Sequence, residues 1–287
     1  MPSISQHQSA RVTKLLVLGD SSAGKTGALA PLAAAGYKLR IIDVDNGLDI
    51  LRDYLTNPKS PYVQQRKNIA DFVEYETITD TMKQQGGRLV PVTAKAWTKV
   101  INLLDDWKTP TAAFGNIATW DENDVLVIDT LSILADKALQ FILSLNLRLG
   151  QRPHQSDWGE AQQLIQGLLE KLYDDAVKCN VVVNCHIRYM EDQNKIMRCF
   201  PESAGKMLSP KIGRYFNSVV RVKTVGTQHK IITVSDNFLE LKTSSPLNVK
   251  PEYPISNGLA QLFADLRSAP APQSTNVINL PEKEKSQ

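Results

Sequence analysis

Short apolar segments alternate with longer amphipathic segments along most of the chain. The apolar segments end at Gly, Asp or other turn-forming residues, as buried parallel strands do, and the segments between them have the length and spacing of helices. The predicted strands are 12–18, 37–45, 71–80, 124–130 and 181–187, and the predicted helices are 24–35, 93–108, 131–145 and 156–180. This alternation predicts an α/β fold with a mostly parallel sheet flanked by helices.

The C-terminal part of the chain follows a different pattern. Three short apolar stretches, 218–226, 230–236 and 238–243, follow one another closely and predict an antiparallel extension at one edge of the sheet. Residues 53–70 contain two prolines and little periodicity, which predicts a surface excursion. From about Ser268 the chain gains Pro, Ser and charge, so we expect a core at 1–267 and a disordered tail at 268–287.

The segment "GDSSAGKT" lies between the first predicted strand and the first predicted helix, and it matches G-x-x-x-x-G-K-[ST]. Glycines let the backbone wrap around an anion, Lys25 can reach the outer phosphates, and the Thr26 hydroxyl can bind Mg²⁺. The motif therefore predicts a nucleoside triphosphate site. The predicted binding residues are Gly19, Asp20, Ser21, Ser22, Ala23, Gly24, Lys25, Thr26 and Gly27. Pro31 falls inside the predicted helix, where it predicts a kink or a short first helix.

Carboxylates follow two of the predicted strands. Asp129 ends an almost wholly apolar strand, which favours a second ligand for the metal, although it could instead cap the next helix. Asp43 and Asp45 end the second strand, and residues two apart share one face of a strand, so both can project toward the phosphate loop. Asp45 is the candidate to activate water; the alternative is a solvated turn.

Composition and charge limit the possible classes of protein only slightly. The 287 residues are 42% hydrophobic, enough for a large core, and the net charge of +3 neither requires nor excludes an anionic partner. No signal peptide is evident and the most apolar helix carries charges, so we expect a soluble, intracellular protein with no membrane partner. Three cysteines favour buried thiols over disulfides or a zinc site at Cys185, His186 and Cys199.

With these motifs in order, residues 12–247 resemble the RecA recombinase family, and most closely the compact phage RecA-like ATPases that anneal single-stranded DNA. The resemblance implies a RecA-like P-loop NTPase core that binds ATP and Mg²⁺. "IIDVDNGLDI" places Asp45 at the water-activating position, where RecA has Glu, and "LVIDTLSIL" makes Asp129 the Walker B carboxylate. "VVNCHIRYM" places His186 at the sensor position, where RecA has Gln, and "FLELKTSSP" makes Lys242 a cation acting on a neighbouring subunit's phosphates. A core histidine and an exposed strand-end lysine are the alternatives for the last two residues.

The family's two DNA-binding loops correspond to residues 146–159 and 188–206. Cations interleaved with aromatics suit single-stranded DNA, because cations contact phosphates and aromatic faces stack on bases. The predicted DNA-binding residues are Arg148, Arg152, Trp158, Arg188, Lys195, Arg198, Phe200 and Lys206. The alternative is that both are ordinary polar loops, with Trp158 packed against its own helix.

The resemblance implies a weak, DNA-stimulated ATPase that forms a ring or filament and promotes annealing in phage recombination, in the cytoplasm of the infected bacterium. A single-strand-binding protein is a candidate partner. Only about ten residues precede the first strand, which favours the core-only phage proteins over RecA itself. Two alternatives stay open: a stand-alone P-loop NTPase or small-molecule kinase, and an ATP-binding assembly factor without a DNA role.

Overall fold

A computed structural model describes residues 11–109, 112–191 and 195–267, so the predicted tail at 268–287 lies outside the described residues. The strands are Lys14–Leu18 (β1), Lys38–Asp43 (β2), Val73–Thr77 (β3), Met82–Gln85 (β4), Arg88–Pro91 (β5), Trp107–Lys108 (β6), Ala113–Gly115 (β7), Asp124–Asp129 (β8), Asn180–Cys185 (β9), Ile187–Glu191 (β10), Met197–Pro201 (β11), Ser218–Val225 (β12), Gln228–Ile232 (β13) and Glu252–Pro254 (β14). The α-helices are Ala30–Ala35 (α1), Asp49–Thr56 (α2), Pro61–Gln65 (α3), Ala96–Asp105 (α4), Leu131–Leu145 (α5), Gln155–Tyr173 (α6) and Gly258–Arg267 (α7).

Within the described residues, the main sheet has eight strands in the order β14-β13-β12-β1-β9-β8-β2-β3. The strands from β12 to β3 are parallel, and β13 and β14 are added antiparallel at the other edge. Alternate residues of β1 point into two apolar clusters, Leu16 and Leu18 toward α4, α5 and α6, and Leu15 and Val17 toward α1 and α7. The predicted fold class, a mostly parallel sheet flanked by helices with an antiparallel C-terminal extension, is confirmed.

The first helix is short, as the proline predicts. A 3-10 turn at Gly27–Leu29 leads into α1, and Pro31 lies in the first turn of α1, where its missing N–H costs nothing. Gly36 ends the helix in the left-handed conformation, with φ of +100°.

The prediction of a strand at 238–243 is wrong. Only one antiparallel bridge, between Val219 and Lys242, forms there. The Asp236 carboxylate accepts hydrogen bonds from the backbone N–H groups of Phe238 and Leu239, which folds the start of this apolar run into a turn. The third antiparallel strand is β14, which pairs with β13 and precedes α7.

Two further segments differ from the prediction. The excursion at 53–70 contains the end of α2, all of α3 and the start of a 3-10 turn at Ile69–Phe72, and α2 buries Leu51 and Leu55. The long helix α6 ends at Tyr173, before the predicted end at residue 180. No helix among the described residues combines the length and the apolar character needed to span a membrane.

Candidate functional site

The loop after β1 folds around its own lysine. Lys25 is buried, and its Nζ donates to the carbonyl oxygens of Gly19 at 3.0 Å and Asp20 at 2.9 Å. Burial lowers the pKa of Lys25, and the nearby carboxylate of Asp129 opposes this shift. The Gly19 N–H donates to the carbonyl of Cys185 at 3.2 Å, which ties the loop to the end of β9. The lysine is therefore held inside the loop, with carbonyl partners that a phosphate could replace.

Gly24 occupies a position that other residues cannot easily adopt. Its φ is +102°, and a Cβ placed on it would lie 2.8 Å from Cδ1 of Ile255. His229 covers the same part of the loop, because its Nδ1–H donates to the carbonyl of Ala23 at 2.8 Å. The residues Ile255 and His229 lie just after β14 and on β13, so the antiparallel extension packs directly on the phosphate loop.

The hydroxyl of Thr26 and the carboxylate of Asp129 meet at the end of β8. Thr26 Oγ1 donates to Asp129 Oδ2 at 2.7 Å, and Asn184 Nδ2 donates to Asp129 Oδ1 at 3.1 Å. Burial raises the pKa of Asp129, and these two hydrogen bonds oppose the rise. Hydroxyl and carboxylate oxygens are the ligands that Mg²⁺ prefers. Beside them, the buried Oδ1 of Asn184 has no hydrogen-bond partner within the described part of the chain, so a further polar group is available next to this position. The residues present therefore fit a magnesium ion held by Thr26 and Asp129.

The next helix is capped by a different residue. The side chain of Thr130 accepts the hydrogen bond from the Ile133 N–H at the start of α5, so the interpretation of Asp129 as a helix cap is wrong.

Only one of the two aspartates at the end of β2 and just after it lines the nucleotide cavity. Asp45 Oδ1 accepts from the backbone N–H of Thr130 at 3.0 Å and from its hydroxyl at 3.1 Å. Asp43 instead accepts from the Thr77 hydroxyl at 2.9 Å and lines a different cavity, beside α2. The strand ends at Asp43, so the alternation of faces does not continue to Asp45, and the expectation that both face the phosphate loop is wrong for Asp43.

His186 follows β9 and lines the same cavity as Asp45. Its backbone N–H donates to Ser132 Oγ at 2.9 Å, which joins the start of α5 to the end of β9. Burial lowers the pKa of the half-buried imidazole, and the charge of Lys25 adds to this shift. A neutral ring at this position can accept or donate a hydrogen bond.

The cavity around the phosphate loop has a volume of about 450 Å³. It is lined by Ser21, Ser22, Gly24, Lys25, Thr26, Gly27, Asp45, Gly47, Ile50, Tyr54, Asp129, Thr130, His186, His229 and Ile255. Among the residues that sequence reasoning missed are Tyr54, His229 and Ile255. No motif marks these three residues, because α2, β13 and the segment after β14 reach the loop only through tertiary packing.

Lys242 lies outside this cavity. It lines a second cavity of about 270 Å³, together with Arg198, Phe200, Arg214 and Phe238. Burial lowers the pKa of Lys242. Its backbone pairs with Val219 on β12, so the bridge holds Lys242 beside the sheet.

The first predicted DNA loop joins α5 to α6. Arg148 forms an ion pair with the fully buried carboxylate of Asp157, which also accepts from the backbone N–H of His154 at the start of α6. Trp158 packs against the apolar core, whereas Arg152 is exposed. Arg148 and Trp158 therefore have structural partners, and Arg152 is the predicted residue of this loop whose side chain faces solvent.

The second predicted DNA loop forms the hairpin β10–β11. Arg188 pairs with Phe200 and Met190 with Arg198 in its register, so Arg188, Arg198 and Phe200 share one face. Arg188 forms an ion pair with Glu202 at 2.9 Å, and Arg198 lies 3.8 Å from Glu240. The side chains of Lys195 and Lys206 are exposed. The hairpin follows β9 directly, so it is covalently joined to the cavity through His186.

Comparison with known proteins gives one family. A family model described as an AAA domain, AAA_24, matches residues 11–244. A comparison with curated proteins found no match. Among solved structures, the RadB recombinase is 11% identical, with 76% of this chain and 79% of that chain covered and a TM-score of 0.39. An ATPase from the type III secretion system of pathogenic bacteria is 10% identical, with 74% of this chain and 52% of that chain covered and a TM-score of 0.36. These values are too low to transfer either protein's activity.

Proposed function

The chain belongs to the AAA domain family over residues 11–244, and we propose that it is a magnesium-dependent ATPase. From its predicted DNA loops, we further propose that it binds single-stranded DNA and promotes annealing of complementary strands. The fold is that of a P-loop ATPase. The observation that carries the proposal is the 2.7 Å contact between Thr26 and Asp129, made in the cavity that Asp45 and His186 also line. A phosphate-binding loop, two oxygen ligands for a metal and a further carboxylate that can act on water are the parts that triphosphate hydrolysis requires.

Each residue of the cavity has a separate role in the proposed hydrolysis. Lys25 would leave the carbonyls of Gly19 and Asp20 and bind the outer phosphates. Thr26 and Asp129 would hold Mg²⁺, which neutralises charge on the phosphate oxygens when bound. Asp45, oriented by both hydrogen bonds from Thr130, would accept the proton of the attacking water. His186 would bond the terminal phosphate and pass its presence to the hairpin β10–β11.

The role proposed for Lys242 requires an oligomer. Lys242 does not line the cavity of its own phosphate loop. In this proposal it therefore contacts the triphosphate bound by a neighbouring subunit. A cation supplied in this way stabilises charge on the transferred phosphoryl group. The proposed assembly is a ring or filament, whose ATPase activity per subunit should rise with protein concentration.

The proposed DNA surface is the face of β10–β11 that carries Arg188, Arg198 and Phe200, together with the exposed cations Arg152, Lys195 and Lys206. Cations beside an aromatic ring bind single strands without reading their sequence. The sequence resemblance to phage annealing ATPases extends the proposal to phage recombination in the cytoplasm of the bacterial host, with a single-strand-binding protein as a candidate partner.

Binding of a fluorescent single-stranded oligonucleotide, with and without a non-hydrolysable ATP analogue at low salt, tests the proposal. Wild-type protein should bind more tightly with the analogue, and Lys25→Ala should remove this dependence while keeping the folded circular-dichroism spectrum. Lys178→Ala, a change at an exposed lysine just before β9, is the matched control and should behave as wild type. Absence of binding by the wild-type protein would sink the DNA part and favour a stand-alone NTPase or an assembly factor.

A further inference from the structure

The hairpin β4–β5 has no role in the site described above. Its strands Met82–Gln85 and Arg88–Pro91 are joined by Gly86 and Gly87, whose φ values of +56° and +76° make the tight turn that two glycines favour. Residues 82–89 are all exposed. The hairpin follows the carboxyl end of β3. Because β3 runs parallel to β1 through the strands between them, the hairpin and the phosphate loop both lie at the carboxyl ends of the parallel strands.

The charged residues in the hairpin and in the segment after it are all basic. Residues 81–104 contain Lys83, Arg88, Lys95 and Lys99 and no Asp or Glu. Residues 137–156, which include the loop between α5 and α6, also lack acidic residues. The exposed side chains of the hairpin therefore present positive charge with no carboxylate next to them in sequence, which suits a polyanion.

The hairpin packs on the first predicted DNA loop. Val90 is only 8% exposed, and a Cβ placed on Gly150 would lie 2.9 Å from Cγ1 of Val90. In the hairpin register Lys83 is opposite Val90 and Gln85 is opposite Arg88, so these four residues share the face that contacts the loop. Two cationic segments that are far apart in sequence thus meet at Gly150, two residues before the exposed Arg152.

We propose that the hairpin β4–β5 is an additional binding element for single-stranded DNA, with Lys83 and Arg88 contacting phosphates alongside Arg152; the proposal rests on the function proposed above. The exposed Met82 and Leu89 lie on the opposite face of the hairpin and take no part in it. The contact between Val90 and Gly150 fixes the hairpin against the loop, so that both can contact the same strand.

The test compares Lys83→Gln/Arg88→Gln with the wild-type protein by fluorescence anisotropy of a labelled oligothymidylate, measured from about 0.05 to 0.3 M salt. Each lost phosphate contact lowers the slope of log affinity against log salt by about 0.7, so the double variant should lose about 1.4 from the slope and about 25-fold in affinity at 0.1 M salt. The matched control, Lys38→Gln/Lys178→Gln, removes two exposed lysines at the amino ends of β2 and β9. These lie at the opposite end of the parallel strands from the hairpin and the phosphate loop. It should keep the wild-type slope, and both variants should keep wild-type melting temperatures and affinity for the ATP analogue.

The outcomes separate the two proposals. If wild-type protein binds the oligonucleotide and the hairpin variant keeps its salt slope, the inference about the hairpin is wrong and the proposed function stands. If the hairpin variant loses affinity for a duplex of the same length but not for the single strand, the hairpin is not a single-strand element and the inference is also wrong. If wild-type protein binds no DNA, the proposed function fails, and the inference fails with it.

Discussion

Replacing Asp45 by Asn separates catalysis from binding, because the two side chains have almost the same shape. The Asn side chain keeps an Oδ1 that can accept the hydrogen bonds from the N–H and hydroxyl of Thr130, so the loop after β2 should keep its place. What Asp45→Asn loses is the ability to take a proton from water. General-base catalysis contributes about 10²–10⁴ in rate, or roughly 3–5 kcal/mol of transition-state stabilisation.

We therefore expect kcat of Asp45→Asn to fall by about 10²–10⁴ while its affinity for a non-hydrolysable ATP analogue stays within about threefold of wild type. Phosphate release measures the first quantity and calorimetry the second. Asp43→Asn is the matched control. Asp43 lies two residues away but bonds Thr77 outside the nucleotide cavity, so its replacement should cost about 1 kcal/mol of stability and leave kcat nearly unchanged.

The assignment of Asp45 would be refuted if Asp45→Asn kept kcat within about fivefold of wild type. It would also be refuted if Asp43→Asn lost as much activity as Asp45→Asn, because the loss would then come from disturbing the end of β2 and not from the missing base.

Three further predictions concern stability and the phosphate loop. Burial lowers the pKa of Lys14 from 10.5 to about 8, so above pH 7 the unfolded chain binds more protons than the folded one. The free energy of unfolding should therefore rise by roughly 1.4 kcal/mol from pH 7 to 9. Urea unfolding should show this rise in the wild-type protein and not in Lys14→Met. Arg148→Met should lower the free energy of unfolding, measured by urea unfolding, because the Asp157 carboxylate, whose surface is covered by the protein, loses its cation. Gly24→Ala should weaken binding of the ATP analogue by about tenfold in calorimetry, because Ala is strained at the φ of +102° that the loop requires and its Cβ would also press on the end of the Ile255 side chain. A wild-type pH dependence in Lys14→Met, a wild-type free energy of unfolding in Arg148→Met or a wild-type analogue affinity in Gly24→Ala would each contradict the explanation given for that variant.

The central strands could be predicted from sequence because each is a continuous apolar run with a clear end. The predicted bounds of α5 agree with the structure, and the strands β1, β8 and β9 differ from prediction by one or two residues. Fully buried parallel strands need no polar positions, so their sequence signal is strong. The two glycines between β4 and β5 are also a readable hairpin signal.

The elements that sequence reasoning missed depend on long-range packing. β14 has three residues and ends in Pro254, so it has no periodicity to detect, and only its pairing with β13 makes it a strand. His229 and Ile255 reach the phosphate loop through this pairing. That Asp43 faces away from the phosphate loop could not be predicted from sequence either, because it depends on where β2 ends and on the turn that follows, where Asn46 has a φ of +54°.

ATP turnover with and without a single-stranded oligonucleotide, with particle mass followed by light scattering in the same samples, tests the central claim most directly. The account predicts that DNA raises both turnover and particle mass in wild-type protein and neither in Lys25→Ala. If turnover and mass in the wild-type protein do not respond to DNA, the P-loop ATPase fold stands, but the proposed coupling between the nucleotide cavity and a DNA surface is contradicted.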